Sequence, residues 1–343
     1  MNKVIFFVAG GTGGHLFPAI AVANSFEKSQ SHFLVDKRTE KILLDKDFKY
    51  HVISSSKLEK NIFAIIISIF KILYGFIYSF CLILKFKPSL VVGFGGYTSI
   101  PTILAAKVLN KKILIHEQNS VMGKTNRFLS KISTKIAITY KNTIFAHKSA
   151  ILSGIPIRKL KVKKNNKKYN KKIILIIGGS QGAQVFCEII KKVLLGFDKN
   201  LLKKIFIVHQ VREEDLKSMK NFYQNLKIKF KIKSFFTNIY DEINNSDLII
   251  SRCGASTLAE IEFFNKFCIL IPLPTSANNH QFYNAVEFKR INNCEIINQS
   301  NINIDKLGKI IKSNLFEKKI KKIQQQRKTK KLSLVNIIND MLK

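Results

Sequence analysis

Short, almost purely apolar runs recur along this chain, each closed by glycine or small polar residues and followed by apolar positions at helical spacing. In the first half the runs fall at 3–9, 32–35, 50–53, 89–93, 112–116 and 134–138, with helical patterns at 18–29, 39–46, 98–109 and 120–131. A second series of runs follows at 172–177, 204–208, 228–233, 247–251, 268–271 and 294–297. Unbroken apolar runs such as 4–9 and 173–177 suit strands covered on both faces. The rhythm therefore predicts an α/β fold with two parallel sheets. Between the series, 158–171 is dense in lysine, buries no face and repels itself, so it reads as a linker. It separates an expected domain at 1–157 from another at 172–343, whose basic tail is helical from 303 with a break near Lys330.

The stretch Asn61–Leu84 departs from this pattern because it is apolar almost all round. Lys71 divides it into apolar runs of 9 and 13 residues, each too short to cross a bilayer alone. Ser68, Lys71, Gly75 and Ser79 fall at helical spacing and form a narrow polar stripe. A span across the membrane would break the strand–helix alternation. Two readings stand level: a buried crossover helix, and a helix with its apolar face in the membrane interface, flanked by Lys57, Lys60, Lys85 and Lys87.

Composition narrows the class. The 343 residues, 46% of them apolar, suffice for two cores. The net charge of +36 is mostly lysine on expected solvated faces. No RNA-binding signature, helix-turn-helix or aromatic–basic repeat accompanies it, so nucleic acid is not an expected partner, whereas an anionic lipid surface is. The five cysteines lack close spacing and read as reduced thiols; no His, Cys or acidic cluster has metal spacing, and Asp45-Lys-Asp47 reads as surface. The N-terminus enters a strand at once, without a visible signal peptide.

Candidate chemistry lies where runs end in turns. Gly10-Gly-Thr-Gly-Gly-His15 and Gly178-Gly-Ser-Gln-Gly-Ala183 each join a strand to a helix, a geometry that aims N–H groups and a positive helix end at a phosphate. His15 stands at a strand's carboxyl end, where open α/β sheets bind ligands, and suits a catalytic or anion-contacting role. Asp36, near the end of the second run, sits where a nicotinamide enzyme keeps its ribose-binding acid, although Leu16 breaks the dinucleotide glycine spacing. The loop at 93–101 carries three glycines, and His116-Glu-Gln-Asn119 offers polar groups suited to sugar hydroxyls. Ser251–Glu260 can wrap a diphosphate and present Glu260 to ribose, and Gln281 opens a further helix.

Taken together, GGTGGH at 10–15, GFGGY at 93–97, HEQN at 116–119, GGSQGA at 178–183, SRCGAST with Glu260, and HQFYNA at 280–285 resemble, in order, the MurG family of peptidoglycan N-acetylglucosaminyltransferases. The resemblance implies a GT-B fold, two Rossmann-like domains separated by a cleft. It implies inverting transfer of GlcNAc from UDP-GlcNAc to the C4 hydroxyl of MurNAc in lipid I, giving lipid II, with no resident cofactor or protein-bound metal. Thr12, Gly13, Gly14, Asn119, Arg158, Ser180, Phe236, Ala255, Ser256, Thr257, Leu258, Ala259, Glu260 and Gln281 would contact the donor. His15 would be the general base, and Gly95, Gly96, Tyr97, His116 and Glu117 would lie on the acceptor side. The family sits peripherally on the cytoplasmic face of the inner membrane, with cell-wall synthesis and division proteins as prospective partners. Here Ile155 replaces the hinge Asn of the family, and Asn279 replaces an acid often found before HQ. The rival readings are a GT-B diacylglycerol glycosyltransferase and, from Asp36, a nicotinamide-dependent dehydrogenase.

Overall fold

The computed structural model describes residues 3–44, 46–56, 61–157, 170–179, 184–317 and 332–343. The chain divides into two units, Met1–Lys159 with Lys328–Lys343, and Leu160–Arg327.

The first unit alternates β1 (Ile5–Val8), α1 (Gly13–Ala23), β2 (Ser31–Val35), α2 (Lys37–Leu43), β3 (Lys49–Val52), α3 (Ile62–Phe86), β4 (Leu90–Gly93), α4 (Ser99–Val108), β5 (Lys112–Glu117), α5 (Lys124–Ser130), β6 (Lys135–Ile138) and β7 (Ile151–Leu152). All strand pairs are parallel, in the order β3-β2-β1-β4-β5-β6-β7. The second unit contains β8 (Lys172–Ile177), α6 (Gln184–Leu195), α7 (Lys199–Lys203), β9 (Ile205–Gln210), α8 (Leu216–Asn225), β10 (Lys229–Lys233), α9 (Ile239–Asn245), β11 (Leu248–Ser251), α10 (Ala255–Phe263), β12 (Cys268–Leu270), α11 (His280–Lys289), β13 (Cys294–Ile296) and α12 (Ile304–Phe316). Its parallel order is β10-β9-β8-β11-β12-β13. Each sheet thus reverses its winding beside its first strand, the switch point at which doubly wound sheets bind ligands.

Three expectations change. α1 begins at Gly13, not at 18. The helix instead opens a turn earlier on two glycines, with Pro18 inside it. The last helix, α13 (Leu334–Leu342), was expected in the second domain but belongs to the first unit. Its Leu334, Ile337, Ile338 and Met341 join the core of Ile5, Phe7, Leu90 and Leu114. Lys112 Nζ donates to Met341 O at 2.7 Å, and Lys3 Nζ to Leu342 O. Most of the expected linker, and the break near Lys330, lie outside the described residues.

The third change concerns α3, which is packed inside out. Its buried positions are Ser68, Gly75, Ser79, Leu82 and Ile83, while Phe63, Ile67, Phe70, Tyr74 and Ile77 are exposed. Lys71, expected with the polar stripe, is exposed too. Small residues suit the inner face because the contact is close. Ser79 Oγ meets Thr102 Oγ1 at 2.9 Å, Ser68 Oγ donates to Ser56 Oγ at 3.1 Å, and a Cβ on Gly75 would stand 2.0 Å from Ser54 O. Only 17% of its most apolar 18-residue window is buried, so the core-helix reading fails. By length and composition, α3 could cross a membrane.

Candidate active site

The turn after β1 is fixed by sterics. Gly11 has φ +85°, and a Cβ on Gly10 would stand 2.1 Å from Thr98 Oγ1. Thr12 caps α1 in extended conformation without bonding the helix through its side chain. The first N–H groups of α1, at Gly13 and Gly14, therefore form a positive, uncapped helix end. Asp36 braces the turn. Its Oδ2 accepts from Gly11 N at 2.6 Å and Arg38 Nη2 at 3.0 Å, and its Oδ1 from Arg38 N and Thr39 N, both at 3.1 Å. Burial opposes its charge, but these donors, led by Gly11, hold its carboxyl below the usual range. Asp36 is thus a helix cap and loop brace, which removes the support for the dehydrogenase reading.

His15, half-buried in the first turn of α1, meets the loops after β4 and β5. Gly95 and Gly96 have φ +95° and +82°; a Cβ on Gly95 would stand 3.3 Å from His15 Nδ1, and one on Gly96 only 2.4 Å from Gly10 O. His15 Nδ1 lies 3.1 Å from Gln118 Oε1, and among the described residues its Nε2 has no protein partner. Gln118 Nε2 lies 3.1 Å from His116 Nδ1, whose Nε2 lies 3.0 Å from Gly154 O. Burial pushes the His116 pKa down to about 4, with His15 adding to the shift, so this ring is neutral at neutral pH. Glu117 accepts from Asn119 N at 2.9 Å, Asn119 Nδ2 at 3.2 Å, Gly123 N at 3.1 Å and Asn126 Nδ2 at 2.8 Å. One buried carboxylate therefore shapes the whole 117–126 loop.

In the second unit the loop after β11 leads into α10, whose N-cap Gly254 offers no side chain, so its first N–H groups are also uncapped. Gln281 Oε1 ties this loop to the next by accepting from Cys253 N at 3.2 Å and Leu273 N at 3.0 Å. Among the described residues its Nε2 has no partner. Arg252 Nη1 donates to Ile271 O and Pro272 O, both at 3.1 Å, and Asn284 Nδ2 to Cys253 O at 3.1 Å. Ser256 Oγ, at the start of α10, is buried without a partner among the described residues. Asn279 has φ +53°, a left-handed backbone that asparagine adopts more readily than most residues, which accounts for its presence before His280 and Gln281.

Family models agree with this arrangement. The glycosyltransferase family 28 N-terminal domain matches residues 5–138, and the corresponding C-terminal domain matches 173–341. A UDP-N-acetylglucosamine--N-acetylmuramyl-(pentapeptide) pyrophosphoryl-undecaprenol N-acetylglucosamine transferase of Rickettsia bellii is 37% identical, over 99% of this chain and 100% of its own. The chain belongs to the MurG family, within glycosyltransferase family 28. A relative of the same name from the Wolbachia of Brugia malayi is 32% identical over 99% of this chain and 97% of its own. The crystal structure of MurG from Acinetobacter baumannii, 27% identical, superposes with TM-score 0.73 over 92% of this chain and 91% of that one. The kitacinnamycin glycosyltransferase, 11% identical, shares the fold with TM-score 0.71, covering 93% and 92%. Both units are thus Rossmann-like halves of the GT-B class.

Against the MurG-family pattern, the first unit gathers Thr12, Gly13, Gly14, His15, Gly95 and Gly96, and holds Asn119 on Glu117. Tyr97 is partly exposed beside them in sequence. His116 and Glu117 were expected to touch sugar; both are buried, and the chain's own groups occupy their polar atoms, so they support the loop instead. In the second unit, Ala255, Ser256 and Thr257 open α10 and Glu260 lies in its second turn, with Ala259 half-buried. Leu258 is fully buried, and the Phe236 ring packs in the core with Lys231 Nζ 5.7 Å from its centre. Both side chains are thus committed to the core. Arg158 and Ser180 lie outside the described residues. Sequence reading took Gln118 only as one of four polar groups facing sugar, and missed Arg252 and Asn126. Gln118 stood within the HEQN motif, whereas nothing marked Asn126, which donates to Glu117 and whose buried Oδ1 has no partner among the described residues. Among the described residues no three His, Cys, Asp or Glu side chains converge to hold a metal ion.

Proposed function

We propose that this chain is an inverting transferase that moves GlcNAc from UDP-GlcNAc to the C4 hydroxyl of the lipid-linked MurNAc-pentapeptide, giving lipid II. The observation that carries the reading is His15, in the first turn of α1 after β1, whose Nε2 has no partner among the described residues, in a chain matched over 99% of its length by a transferase of that name. The hydroxyl oxygen attacks C1 of GlcNAc and its proton passes to His15 Nε2. The C1–oxygen bond to the diphosphate breaks on the opposite face, and UDP departs with the electron pair. A neutral imidazole accepts a proton near neutral pH. The uncapped start of α10, with Ser256 Oγ and Gln281 Nε2, would take up the developing diphosphate charge. Glu260 would hold the ribose hydroxyls. Transfer of labelled GlcNAc onto a short-chain lipid I analogue tests the reading, and absence of product at saturating donor would refute it.

Glu260→Ala is expected to raise the donor KM roughly 10–100-fold, the worth of a charged hydrogen bond, with kcat much less affected. Initial rates over a range of UDP-GlcNAc concentrations check this; an unchanged donor KM removes the ribose role.

The acceptor's lipid tail keeps it in a membrane, and α3 answers that constraint. Its small-residue face is committed to Ser54, Ser56 and Thr102, leaving the apolar face outward. That geometry suits a helix lying in the interface plane rather than crossing it, with exposed Lys85 and Lys87 near anionic headgroups. On this reading the protein is peripheral, on the cytoplasmic face of the inner membrane. Changing Phe63, Ile67, Phe70 and Tyr74 together to Ser is expected to lower partitioning onto anionic vesicles at least about 100-fold, since each buried apolar side chain contributes about 1.5–3 kcal/mol. These side chains are exposed, so the melting temperature should hold. Flotation with vesicles reads the change, and unaltered binding would exclude α3 as the membrane face.

A further inference from the structure

The hydrogen bonds around His15 leave one consistent assignment of protons. Gly154 O can only accept, and the left-handed Gly154 (φ +71°) presents it to His116 Nε2 at 3.0 Å. His116 Nε2 therefore carries a proton. The ring is buried and neutral, so its Nδ1 is a bare lone pair. Gln118 must turn its NH₂ toward that lone pair, and the same Nε2 lies 3.2 Å from His116 O, a second acceptor. A flipped amide would set Oε1 against both acceptors. Gln118 Oε1 thus faces His15 Nδ1 at 3.1 Å, and a carbonyl oxygen accepts only from a protonated nitrogen.

Building on the reading of His15 as base, we propose that Gln118 is a positioning residue that locks His15 in its Nδ1–H tautomer and so leaves the Nε2 lone pair to take the acceptor's proton. Which imidazole nitrogen is protonated follows from the bond the other one makes. The logic parallels the acid that fixes histidine in hydrolase triads, with a neutral amide in place of a carboxylate. The amide adds no charge, so it orients the ring without drawing a standing proton to it. Gly95 contributes by absence, because a Cβ there would stand 3.2 Å from His15 Cε1 and press on the ring. All the groups in the chain lie within the first unit.

The test uses the full chain labelled with ¹⁵N-histidine. Two-bond ¹H–¹⁵N correlation at neutral pH reads the tautomers, and His15 is assigned by the signal lost in His15→Asn. The wild type should show His15 as Nδ1–H. Gln118→Met, similar in volume but without an acceptor, should shift His15 toward Nε2–H. Its kcat should fall at least about 10-fold with donor KM within about twofold. Gln118→Glu should keep the Nδ1–H form and restore turnover. Its carboxylate should also move the acidic limb of the kcat profile up by about one pH unit, because a neighbouring negative charge favours imidazolium. An Nε2–H ring in the wild type, or an unchanged tautomer in Gln118→Met, would overturn the proposal. If the tautomers behave as stated while His15→Asn still turns over at the wild-type rate, the lock stands and the assignment of the base falls instead.

Discussion

His15→Ala is expected to lower kcat by about 10²–10⁴-fold, the usual contribution of a positioned general base, while UDP-GlcNAc affinity stays near wild type. The two quantities separate because, among the described residues, the His15 ring hydrogen-bonds the chain only through Nδ1, and the N–H groups at the start of α1 are backbone. Calorimetric titration with UDP-GlcNAc and turnover at saturating donor measure them independently. Turnover that survives the substitution would show that another group, or water, takes the proton. The His15 ring also contributes to holding His116 neutral. Its loss should ease that shift slightly, yet the bond from His116 Nε2 to Gly154 O and the surrounding burial remain, so the loop should keep its form.

Gly96→Ala should be nearly as damaging by a different route. The residue has φ +82°, and the new methyl carbon would meet Gly10 O at 2.4 Å. Left-handed backbone costs about 1–2 kcal/mol for a residue with a side chain, and overpacking about 1–3 kcal/mol more. The partner atom is backbone, so no side-chain rotation relieves the contact. It can be relieved only by moving the turn that carries Thr12, Gly13 and Gly14 away from the loop after β4. Thermal unfolding should show a first-unit transition lowered by roughly 4–15 °C, with transfer reduced at least about 100-fold in the folded fraction. A soluble variant with wild-type melting and turnover would mean the two loops need not touch.

The strands were readable because burial on both faces leaves a plain mark. Val4–Ala9 and Ile173–Ile177 have no polar position, and each supplies an interior strand of its sheet. Helix limits were less readable, as at Gly13–Pro18, because the glycines that open α1 carry no apolar mark of a helix start. The stripe on α3 was found from spacing, but spacing alone does not say which face turns inward. Hydrophobicity points one way, and the close approach of Gly75 to Ser54 O decides for the other. In the site, motifs marked the right loops but assigned contact too freely. His116 and Glu117 look like sugar-binding groups in sequence, and only three-dimensional packing shows that Gly154, Asn119, Gly123 and Asn126 already occupy them. Asn126 was invisible because its partner is nine residues away, around a turn no pattern describes.

The return of Leu334, Ile337, Ile338 and Met341 to the core around Ile5 and Phe7 carries a consequence for how the protein is made. The unit synthesised first lacks part of its interior until residues 334–341 have emerged. It must wait, incompletely sealed, while the other half is synthesised and folds. The helix that seals the earlier-made unit is thus delivered only after the intervening unit has been made.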